Sequence, residues 1–461
     1  MKKFTACLWS VGFVINLVFV QNSHAFIFGD SLVEKYDWNG VEVIWVKDDR
    51  FPTYHISVYF ADGALSDGKR RSGETSFMFG LLDSGTNRYT QKQIIDGLEY
   101  YGASYGASVT HEYTTYHISG LIRDIDPTVR MVCQLFKDAT FPKNEFKKYK
   151  RRYLASFKQM VNDHSALANR AFRKISLDGS PFDKPVEGLR GHVRKISRKD
   201  LKKKLSYFNN KVKKRIYLIG PKKVLDIENI IKNDCNWTEG ADFHREVNYK
   251  MAVKKKPPIY LVTVPEAQKV EIRIGRFLKD NEIGRPALRE FSSSYLGGGF
   301  TSKLMEELRK KHGLVYSVHA FAAEQKSYGR AAVSTSTKRK ETVRVIELVK
   351  SILSDAGGGK ISDKDFNRSK SHLIGRYPFR FEKSASYLNH LIFLDHIGKD
   401  YDEIHKFGKK IGNISSKGLA VDINDIFGWE KQVIVVLGHK SAAKILKKIG
   451  KVKIVDYRKF L

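Results

Sequence analysis

An internal repeat constrains the fold of this chain more than any other feature of its sequence. Residues 41–64 and 259–277 share the alternation of apolar and polar residues that is typical of half-buried strands. The apolar stretches 215–220 and 432–438 resemble each other as well, and both end in glycine. The repeat therefore predicts two similar halves, each of which opens with two strands, continues through helices and closes on another strand.

The repeat also gives the domain boundaries. We expect an N-terminal half at 26–240 and a C-terminal half at 259–461. The polar, proline-bearing stretch 241–258 between them has the composition of a linker. A chain of 461 residues is long enough to bury at least two hydrophobic cores, so each half can have its own.

Residues 1–25 have the pattern of an export signal. Lys2 and Lys3 precede an apolar run at 6–20, and Ser23-His24-Ala25 places small residues at the positions that a signal peptidase recognises. We therefore expect cleavage after Ala25 and an exported, periplasmic protein. The apolar run is short for a membrane span and no second one follows, so the sequence predicts no transmembrane segment.

Two cysteines, Cys133 and Cys235, remain after removal of the signal peptide. They can form one disulfide in an oxidising compartment, or they can stay as buried free thiols. The sequence leaves both alternatives open.

The chain is strongly basic, with 82 Lys and Arg against 50 Asp and Glu and a net charge of +32. Such a surplus can indicate nucleic acid or an anionic membrane surface as a partner. The basic residues are spread through both halves in short runs, and no nucleic-acid-binding motif accompanies them. We therefore interpret them as solvated faces and expect no nucleic-acid partner.

The stretch 296–320 carries the candidate functional residues. It begins with Gly297, Gly298 and Gly299, whose backbone would let a substrate approach closely. Apolar residues then recur at helical spacing, Gly313 supplies a C-cap, and an alternating, strand-like segment follows. The pattern predicts a helix, a tight turn and a strand.

Arg309 at the end of that helix and Tyr316 on the strand can meet across the turn. A guanidinium fork and a phenol hydroxyl would together donate hydrogen bonds to a carbonyl oxygen and stabilise an oxyanion. The spacing alone favours the alternative, a solvated arginine at a helix C-terminus and a tyrosine in the core.

This stretch resembles the pitrilysin or insulinase family of peptidases, in which a GGG-F-T-S-x-L-M-x-E-L-R segment leads into G-L-x-Y-S-V. The likeness is nearly continuous from Gly297 to Val318. It implies that Arg309 and Tyr316 bind the substrate carbonyl. It also implies an α+β fold of two similar halves, in which each antiparallel or mixed sheet packs against helices, as in the processing peptidases.

Active members of this family carry an inverted zinc motif near the start of the first half, and the sequence departs from the family there. The flanking glycines place Ser76, Phe79 and Gly80 where a histidine, a glutamate and a second histidine are expected. None of these can serve as a zinc ligand of the usual kind or as a general base. The stretch 150–159, where the third ligand is expected, contains no carboxylate.

A chain that keeps Arg309 and Tyr316 but lacks the zinc motif resembles the zinc-less subunit of two-subunit family members. The resemblance predicts a zinc-bearing paralogous peptidase subunit as partner, an extended peptide as substrate, and zinc in the partner with no cofactor in this chain. The alternative is a catalytically silent envelope scaffold or binding protein of the same fold. A peptidase active by itself would need the metal ligands that this sequence does not have.

The first half contains a counterpart of the functional stretch. Gly102 and Tyr105 have the same spacing as Gly313 and Tyr316. At this spacing Leu98 falls where Arg309 would be, so we expect the arginine to belong to the second half alone.

Overall fold

The computed structural model describes residues 33–235, 237–240 and 258–461. The predicted signal peptide at 1–25 and all but the last residue of the predicted linker at 241–258 lie outside the described residues. In the described ranges, the strands form two six-stranded sheets, one in each half of the chain.

The first sheet has the order β1-β2-β6-β3-β5-β4. Its strands are β1 (Val33–Trp38), β2 (Val41–Lys47), β3 (Thr53–Phe60), β4 (Ser104–Val109), β5 (Thr114–Leu121) and β6 (Lys214–Gly220). The helices of this half are α1 (Glu74–Phe79), α2 (Gln91–Tyr100), α3 (Ile125–Asp138), α4 (Lys143–Gln159), α5 (His164–Ser176), α6 (Arg190–Val193), α7 (Arg198–Asn210) and α8 (Glu228–Ile230), and a π-helical turn follows at Ile231–Cys235.

The second sheet has the order β12-β7-β11-β8-β10-β9. Its strands are β7 (Ile259–Thr263), β8 (Lys269–Leu278), β9 (Val315–Glu324), β10 (Gly329–Lys338), β11 (Val433–Gly438) and β12 (Val452–Asp456). The helices of this half are α9 (Pro286–Gly297), a π-helix (Met305–Lys311), α10 (Thr342–Gly357), α11 (Asp363–Arg376), α12 (Ser384–His396), α13 (Glu403–Gly412), α14 (Ser416–Phe427) and α15 (Ala442–Leu446).

Five strands of each sheet correspond. The order β2-β6-β3-β5-β4 is repeated as β7-β11-β8-β10-β9, and in both sheets the first strand of the series is parallel to the second while the remaining pairs are antiparallel. The sixth strand differs, because β1 is antiparallel to β2 and β12 is parallel to β7. The predicted α+β fold of two similar halves, each a mixed sheet packed with helices, is confirmed.

The strand alternation that predicted these sheets separates two faces. In β3, Tyr54, Ile56, Val58 and Phe60 point into the core of the first half and are almost fully buried. Tyr59 points to the opposite face and packs within the core of the second half. One strand therefore contributes to both cores.

The two halves exchange helices. Helix α5 of the first half packs on β8 and β11 of the second sheet, and α12 of the second half packs on β3 and β6 of the first. On one side, the buried Arg273 donates to Asn169 Oδ1 at 2.6 Å and to Ser165 Oγ at 2.8 Å. On the other, the Tyr217 hydroxyl donates to Asp395 Oδ2 at 2.6 Å. Each half therefore covers part of the sheet of the other.

A buried carboxylate joins the halves at the β4–β5 turn. Glu112 accepts hydrogen bonds from the backbone N–H groups of Lys326 at 3.2 Å and Ser327 at 3.0 Å, at the tip of the β9–β10 hairpin. Its Oε2 also lies 3.5 Å from His396 Nε2. Burial by itself would raise the pKa of Glu112, but these contacts outweigh it and hold the pKa below its ordinary value.

The lowered pKa makes this junction sensitive to acid. A carboxylate with a depressed pKa stabilises the folded state at neutral pH, and that stabilisation is lost as the pH falls below about 4.5 and through the folded pKa. We expect Glu112→Gln to lower the free energy of unfolding by about 1–3 kcal/mol at pH 7 and by much less at pH 3. Denaturant titrations at both pH values measure this, with the exposed Glu430→Gln as control. An equal loss at both pH values would contradict it.

A disulfide connects Cys133 of α3 to Cys235, with the two Cα atoms 4.4 Å apart. It decides between the two alternatives that the sequence left open. Because the bond joins residues 102 positions apart, it restricts a long loop in the unfolded chain, an effect on the order of 2–4 kcal/mol.

In the described ranges, no helix has both the length and the apolar character that crossing a bilayer requires.

Candidate functional site

Arg309 lies in a widened helical turn. The segment Met305–Lys311 is a π-helix, whereas the spacing predicted an ordinary α-helix. Leu304 and Leu308 are fully buried, as the amphipathic pattern predicted, while Arg309 is only half-buried. The helix ends before Gly313, which has a φ of 60° and donates its N–H to Arg309 O at 3.0 Å, so the predicted C-cap is confirmed.

The hydrogen bonds of this turn correct one prediction. In the first half the N–H of Ala103 bonds to Leu98 O, and in the second half the N–H of Leu314 bonds to Leu308 O, both at 2.9 Å. Leu98 is therefore the counterpart of Leu308, and both side chains are fully buried. The expectation that Leu98 takes the place of Arg309 is wrong, because the second turn contains one additional residue. π-Helical insertions of this kind are frequent at functional sites.

Tyr316 lies at a second irregularity, a β-bulge. Val318 is opposite Thr335 and Val315 is opposite Thr337, so Tyr316 is one of two residues that face a single residue of β10. A bulge re-aims the side chain that it carries, and here 81% of Tyr316 is exposed. The alternative in which this tyrosine belongs to the core is thereby excluded.

The corresponding tyrosine of the first half is oriented differently. Tyr105 is in regular register opposite Ile118, is half-buried, and donates its hydroxyl to Asp83 Oδ2 at 3.1 Å. The tyrosine at this position therefore has a different environment in each half. Tyr105 is bonded within its own half, whereas Tyr316 is presented to solvent.

The structure brings Arg309 and Tyr316 together. The guanidinium carbon is 5.0 Å from the ring centre of Tyr316 and 5.3 Å from that of Phe300, which is 67% exposed. Two aromatic rings thus hold the guanidinium by cation–π contact. Within the part of the chain that the structure describes, its N–H groups form neither an ion pair nor a hydrogen bond, so they remain available to a ligand. Sequence reasoning missed Phe300, although an aromatic directly after three glycines was a visible signal.

The three glycines have different surroundings. Gly297 is buried against β9, and a Cβ on it would lie 2.2 Å from Ala320 N. A Cβ on Gly298 would lie 2.6 Å from Ser294 Cα, whereas Gly299 is exposed and has no neighbour within 4 Å. Gly297 therefore permits close packing within the chain, which corrects the expectation that it faces a substrate. The role of Gly298 stays a prediction, because a Cβ on it would meet its own helix, and the exposed Gly299 is the candidate with open space for a substrate.

These surroundings predict a difference between two alanine substitutions. Gly297→Ala forces a methyl group against the backbone of β9 and is expected to lower the free energy of unfolding by about 1–3 kcal/mol. Gly299→Ala meets open space and is expected to cost less than about 0.5 kcal/mol. Denaturant titrations of both variants measure the difference. Equal stability of the two proteins would show that the approach of α9 to β9 is not tight.

The positions of the family's zinc motif are filled by packing side chains. Ser76 Oγ donates to Val186 O at 2.7 Å, and Phe79 is buried with its ring 5.1 Å from that of Phe208. A Cβ on Gly80 would lie 2.1 Å from the hydroxyl oxygen of Tyr149 on α4. A side chain of any kind at Gly80 would therefore require that tyrosine to move.

Helix α4 supplies tyrosines where the family's third ligand is expected. The rings of Tyr149 and Tyr153 lie 4.9 Å and 5.2 Å from that of Phe77. Burial raises the pKa of Tyr149 to about 12, so its hydroxyl stays protonated and is a poor metal ligand. In the described ranges, no group of three or more His, Cys, Asp or Glu side chains is placed to hold a metal ion. The residues of this chain do not fit the family's zinc.

A cleft of about 450 Å³ remains beside these residues. It is lined by the edge strand β4, by Tyr116 and by the carboxylates of Asp83 and Glu187. Burial raises the pKa of Asp83. The cleft offers strand backbone and polar groups to a ligand, and its two carboxylates fall short of the three ligands that a protein zinc site uses.

Two sequence models of one peptidase family match this chain. Insulinase (Peptidase family M16) matches residues 42–187, and Peptidase M16 inactive domain matches residues 245–373. The first match covers the altered zinc motif, and the second covers Arg309 and Tyr316.

Proteins with similar sequences carry different functional descriptions. The chain is 23% identical over 350 residues to "Non-peptidase homolog YmxG" of Helicobacter pylori, and the aligned region covers 76% of this chain and 80% of the relative. It is 20% identical over 381 residues to "Uncharacterized zinc protease YmxG" of Bacillus subtilis, which covers 79% and 89%. It is also similar to bovine "Cytochrome b-c1 complex subunit 1, mitochondrial", at 24% identity over 168 residues, which covers 36% and 35%.

Solved structures share the fold. A peptidase M16 inactive domain from Pseudomonas fluorescens superposes with a TM-score of 0.77 at 19% identity, and covers 88% of this chain and 98% of that one. A protease from Helicobacter pylori superposes with a TM-score of 0.75 at 15% identity, and covers 88% and 99%. The two-sheet architecture is therefore common to all three chains.

Proposed function

This chain belongs to the insulinase family of peptidases, M16, as a member without the family's catalytic ligands, and we propose that it is the carbonyl-binding subunit of a heteromeric zinc metallopeptidase of the periplasm. We place the zinc and the attacking nucleophile in a paralogous partner subunit. The substrate is an extended peptide.

One observation carries the proposal. The guanidinium of Arg309 forms no hydrogen bond or ion pair with the described residues, and its carbon lies 5.0 Å from the centre of the exposed ring of Tyr316. Both residues owe their positions to local irregularities, a π-helical turn and a β-bulge, that the first half lacks at the corresponding places. Irregular backbone is retained where a function requires it.

The chemistry of the pair suits a developing oxyanion. The guanidinium can donate two parallel N–H groups and the phenol one O–H, and the cation–π contact holds the two side chains beside each other before the substrate arrives. Donors of this kind stabilise the negative charge that develops on a carbonyl oxygen when it is attacked. The pair needs no metal of its own, because these donors act whichever chain supplies the nucleophile.

The sheet edges support a peptide as substrate. Strand β9, which carries Tyr316, is one edge strand of the second sheet, and β4, which lines the cleft, is one edge strand of the first. An extended peptide can add to such an edge through backbone hydrogen bonds, largely without regard to its sequence. The peptide bond to be cleaved would then lie beside Arg309.

Export is part of the proposal. The leader at 1–25 has the pattern of a signal peptide. The disulfide between Cys133 and Cys235 is of a kind that persists in oxidising compartments such as the periplasm.

A second candidate function is a catalytically silent scaffold or binding protein of the envelope. It is favoured by the similarity to a relative named "Non-peptidase homolog". The two candidates differ at Tyr316, because Tyr316→Phe would be harmless in a scaffold but would slow cleavage in a carbonyl-binding subunit.

Affinity purification of the tagged full chain from its native cells tests the proposal. We expect a complex with a zinc-bearing M16 subunit that holds about one zinc per pair and cleaves peptides, whereas this chain by itself holds none and is inert. Stoichiometric zinc in the isolated chain would overturn the proposal. Recovery of the chain with envelope proteins other than a peptidase would favour the scaffold.

A further inference from the structure

Two arginines from different halves approach each other where α5 docks on the second sheet. Asn169 of α5 bonds to Arg273 of β8, and Arg173 lies one helical turn further along the same face. On β8, Phe277 is four residues beyond Arg273 and is paired with Arg330 of β10. Leu177, at the end of α5, packs in one buried cluster with Phe277, so the docking of α5 carries Arg173 toward Arg330.

Neither arginine has a counter-charge. In the described part of the chain, neither side chain forms a salt bridge or a hydrogen bond, and Nη1 of Arg173 is buried without a partner. Two carboxylates of neighbouring segments have other partners, since Glu112 binds the hairpin backbone and Asp183 pairs with Lys174. Both arginines are half-buried. Two like charges largely removed from water destabilise the folded chain unless an anion joins them.

The pKa values point in the same direction. Burial, together with the charge of Arg173, lowers the pKa of Arg330 to about 10, so Arg330 remains charged at neutral pH. Burial and the same charge lower the pKa of His111 to about 4, so His111 is neutral. Its Nε2 is bonded to Lys184 O at 2.8 Å. The local positive charge therefore belongs to the two guanidinium groups.

Aromatic side chains pack beside Arg330. The rings of Phe182 and Tyr328 stack at 4.1 Å, and Phe277 stacks on Tyr328 at 5.8 Å. The Arg330 guanidinium carbon lies 5.8 Å from the ring centre of Phe321 on β9. Apolar surroundings lower the local dielectric, which strengthens charged hydrogen bonds to an anion bound by these arginines.

The register of β9 and β10 relates Arg330 to Tyr316. Arg330 is paired with Ala323, seven residues along β9 from Tyr316, which corresponds to about 23 Å of extended chain. We propose that Arg173 and Arg330 bind a carboxylate of the extended peptide whose scissile carbonyl lies at Arg309 and Tyr316. The inference rests on the proposed function, because it takes the ligand to be a peptide lying along β9. A guanidinium pair matches a carboxylate in charge and in hydrogen-bond geometry.

Peptide binding to the purified full chain tests the site without any cleavage. The probe is a fluorescent decapeptide with uncharged side chains and a free C-terminal carboxylate, which is compared with its C-terminal amide and with an amide that contains one glutamate. Fluorescence anisotropy gives the dissociation constants. We expect the free acid to bind at least about tenfold more tightly than the plain amide.

The variants are Arg173→Met and Arg330→Met, which keep most of the apolar stem but remove the charge. Both should abolish the preference for the free acid, while the exposed Arg88→Met should retain it. Loss of a like charge should leave the melting temperature of either variant unchanged or higher, which separates loss of binding from loss of folding. If the glutamate-bearing amide matches the free acid, the site takes a side-chain carboxylate, and the proposal still holds.

Equal affinity of the free acid and the plain amide for the wild-type chain would overturn the proposal. So would competition by inorganic phosphate at both arginines without any preference among the peptides, because the site would then take a small inorganic anion only. Failure here is distinguishable from failure of the carbonyl-binding role. Arg309→Ala should lower turnover by the complex about 10²–10³-fold and leave the preference for the free acid intact.

Discussion

Turnover of the reconstituted two-subunit peptidase is expected to fall by about 10²–10³-fold when Arg309 is replaced by alanine. The guanidinium forms no hydrogen bond or ion pair with the described residues. Its removal therefore costs the protein only the cation–π contacts to Phe300 and Tyr316. The loss should appear in kcat, since the donor acts on charge that develops during the reaction. Steady-state kinetics and metal analysis of the complex measure turnover and zinc content, and zinc content should not change.

Three variants sharpen this prediction. Arg309→Lys keeps the charge but loses the planar fork, so it should restore only part of the activity. Tyr316→Phe removes one hydroxyl and keeps the ring, so it should lower kcat without loss of stability. Lys310→Ala, at the exposed neighbouring position of the same π-helix, is the matched control and should be fully active. Wild-type turnover by Arg309→Ala would remove the assignment.

Grafting the family's zinc residues onto this chain is expected to fail. The variant Ser76→His, Phe79→Glu, Gly80→His should bind no zinc, and its free energy of unfolding should fall by more than about 5 kcal/mol. A carboxylate at Phe79 would be buried among phenylalanine rings. A histidine at Gly80 would collide with the hydroxyl of Tyr149. Metal analysis and denaturant titration of the purified variant provide the measurement.

Ser76→His alone is the control for the graft. Ser76 is half-buried, and its hydroxyl has one hydrogen bond, to Val186 O, so this single change should cost only about 1 kcal/mol. A triple variant that bound stoichiometric zinc at wild-type stability would show that the chain still holds a working metal frame, contrary to our interpretation of α1 and α4.

The paired sheets could be predicted because their signals are local. Strand alternation and the closing glycines repeat in sequence, so both halves could be predicted from the sequence alone. The outer strands β1 and β12 and the exchange of α5 and α12 were not visible. An amphipathic pattern states that a helix face is buried, but it does not state which sheet buries it.

The candidate site was predictable to the same extent. The glycine turn between Arg309 and Tyr316 predicted that they meet, because the turn reverses the chain. The additional residue of the π-turn could not be predicted, because Gly102 and Tyr105 keep the same spacing as Gly313 and Tyr316. The guanidinium pair of Arg173 and Arg330 had no sequence signal at all, since its members come from different halves.

The inhibition constant of a phosphinic peptide tests the central claim most directly, because the tetrahedral phosphinate places an anionic oxygen where the oxyanion develops. It should be measured on complexes that contain wild-type chain, Arg309→Ala or Tyr316→Phe. The account predicts that affinity for this inhibitor falls in parallel with kcat/KM across the three complexes. An inhibition constant that is the same in all three would contradict it.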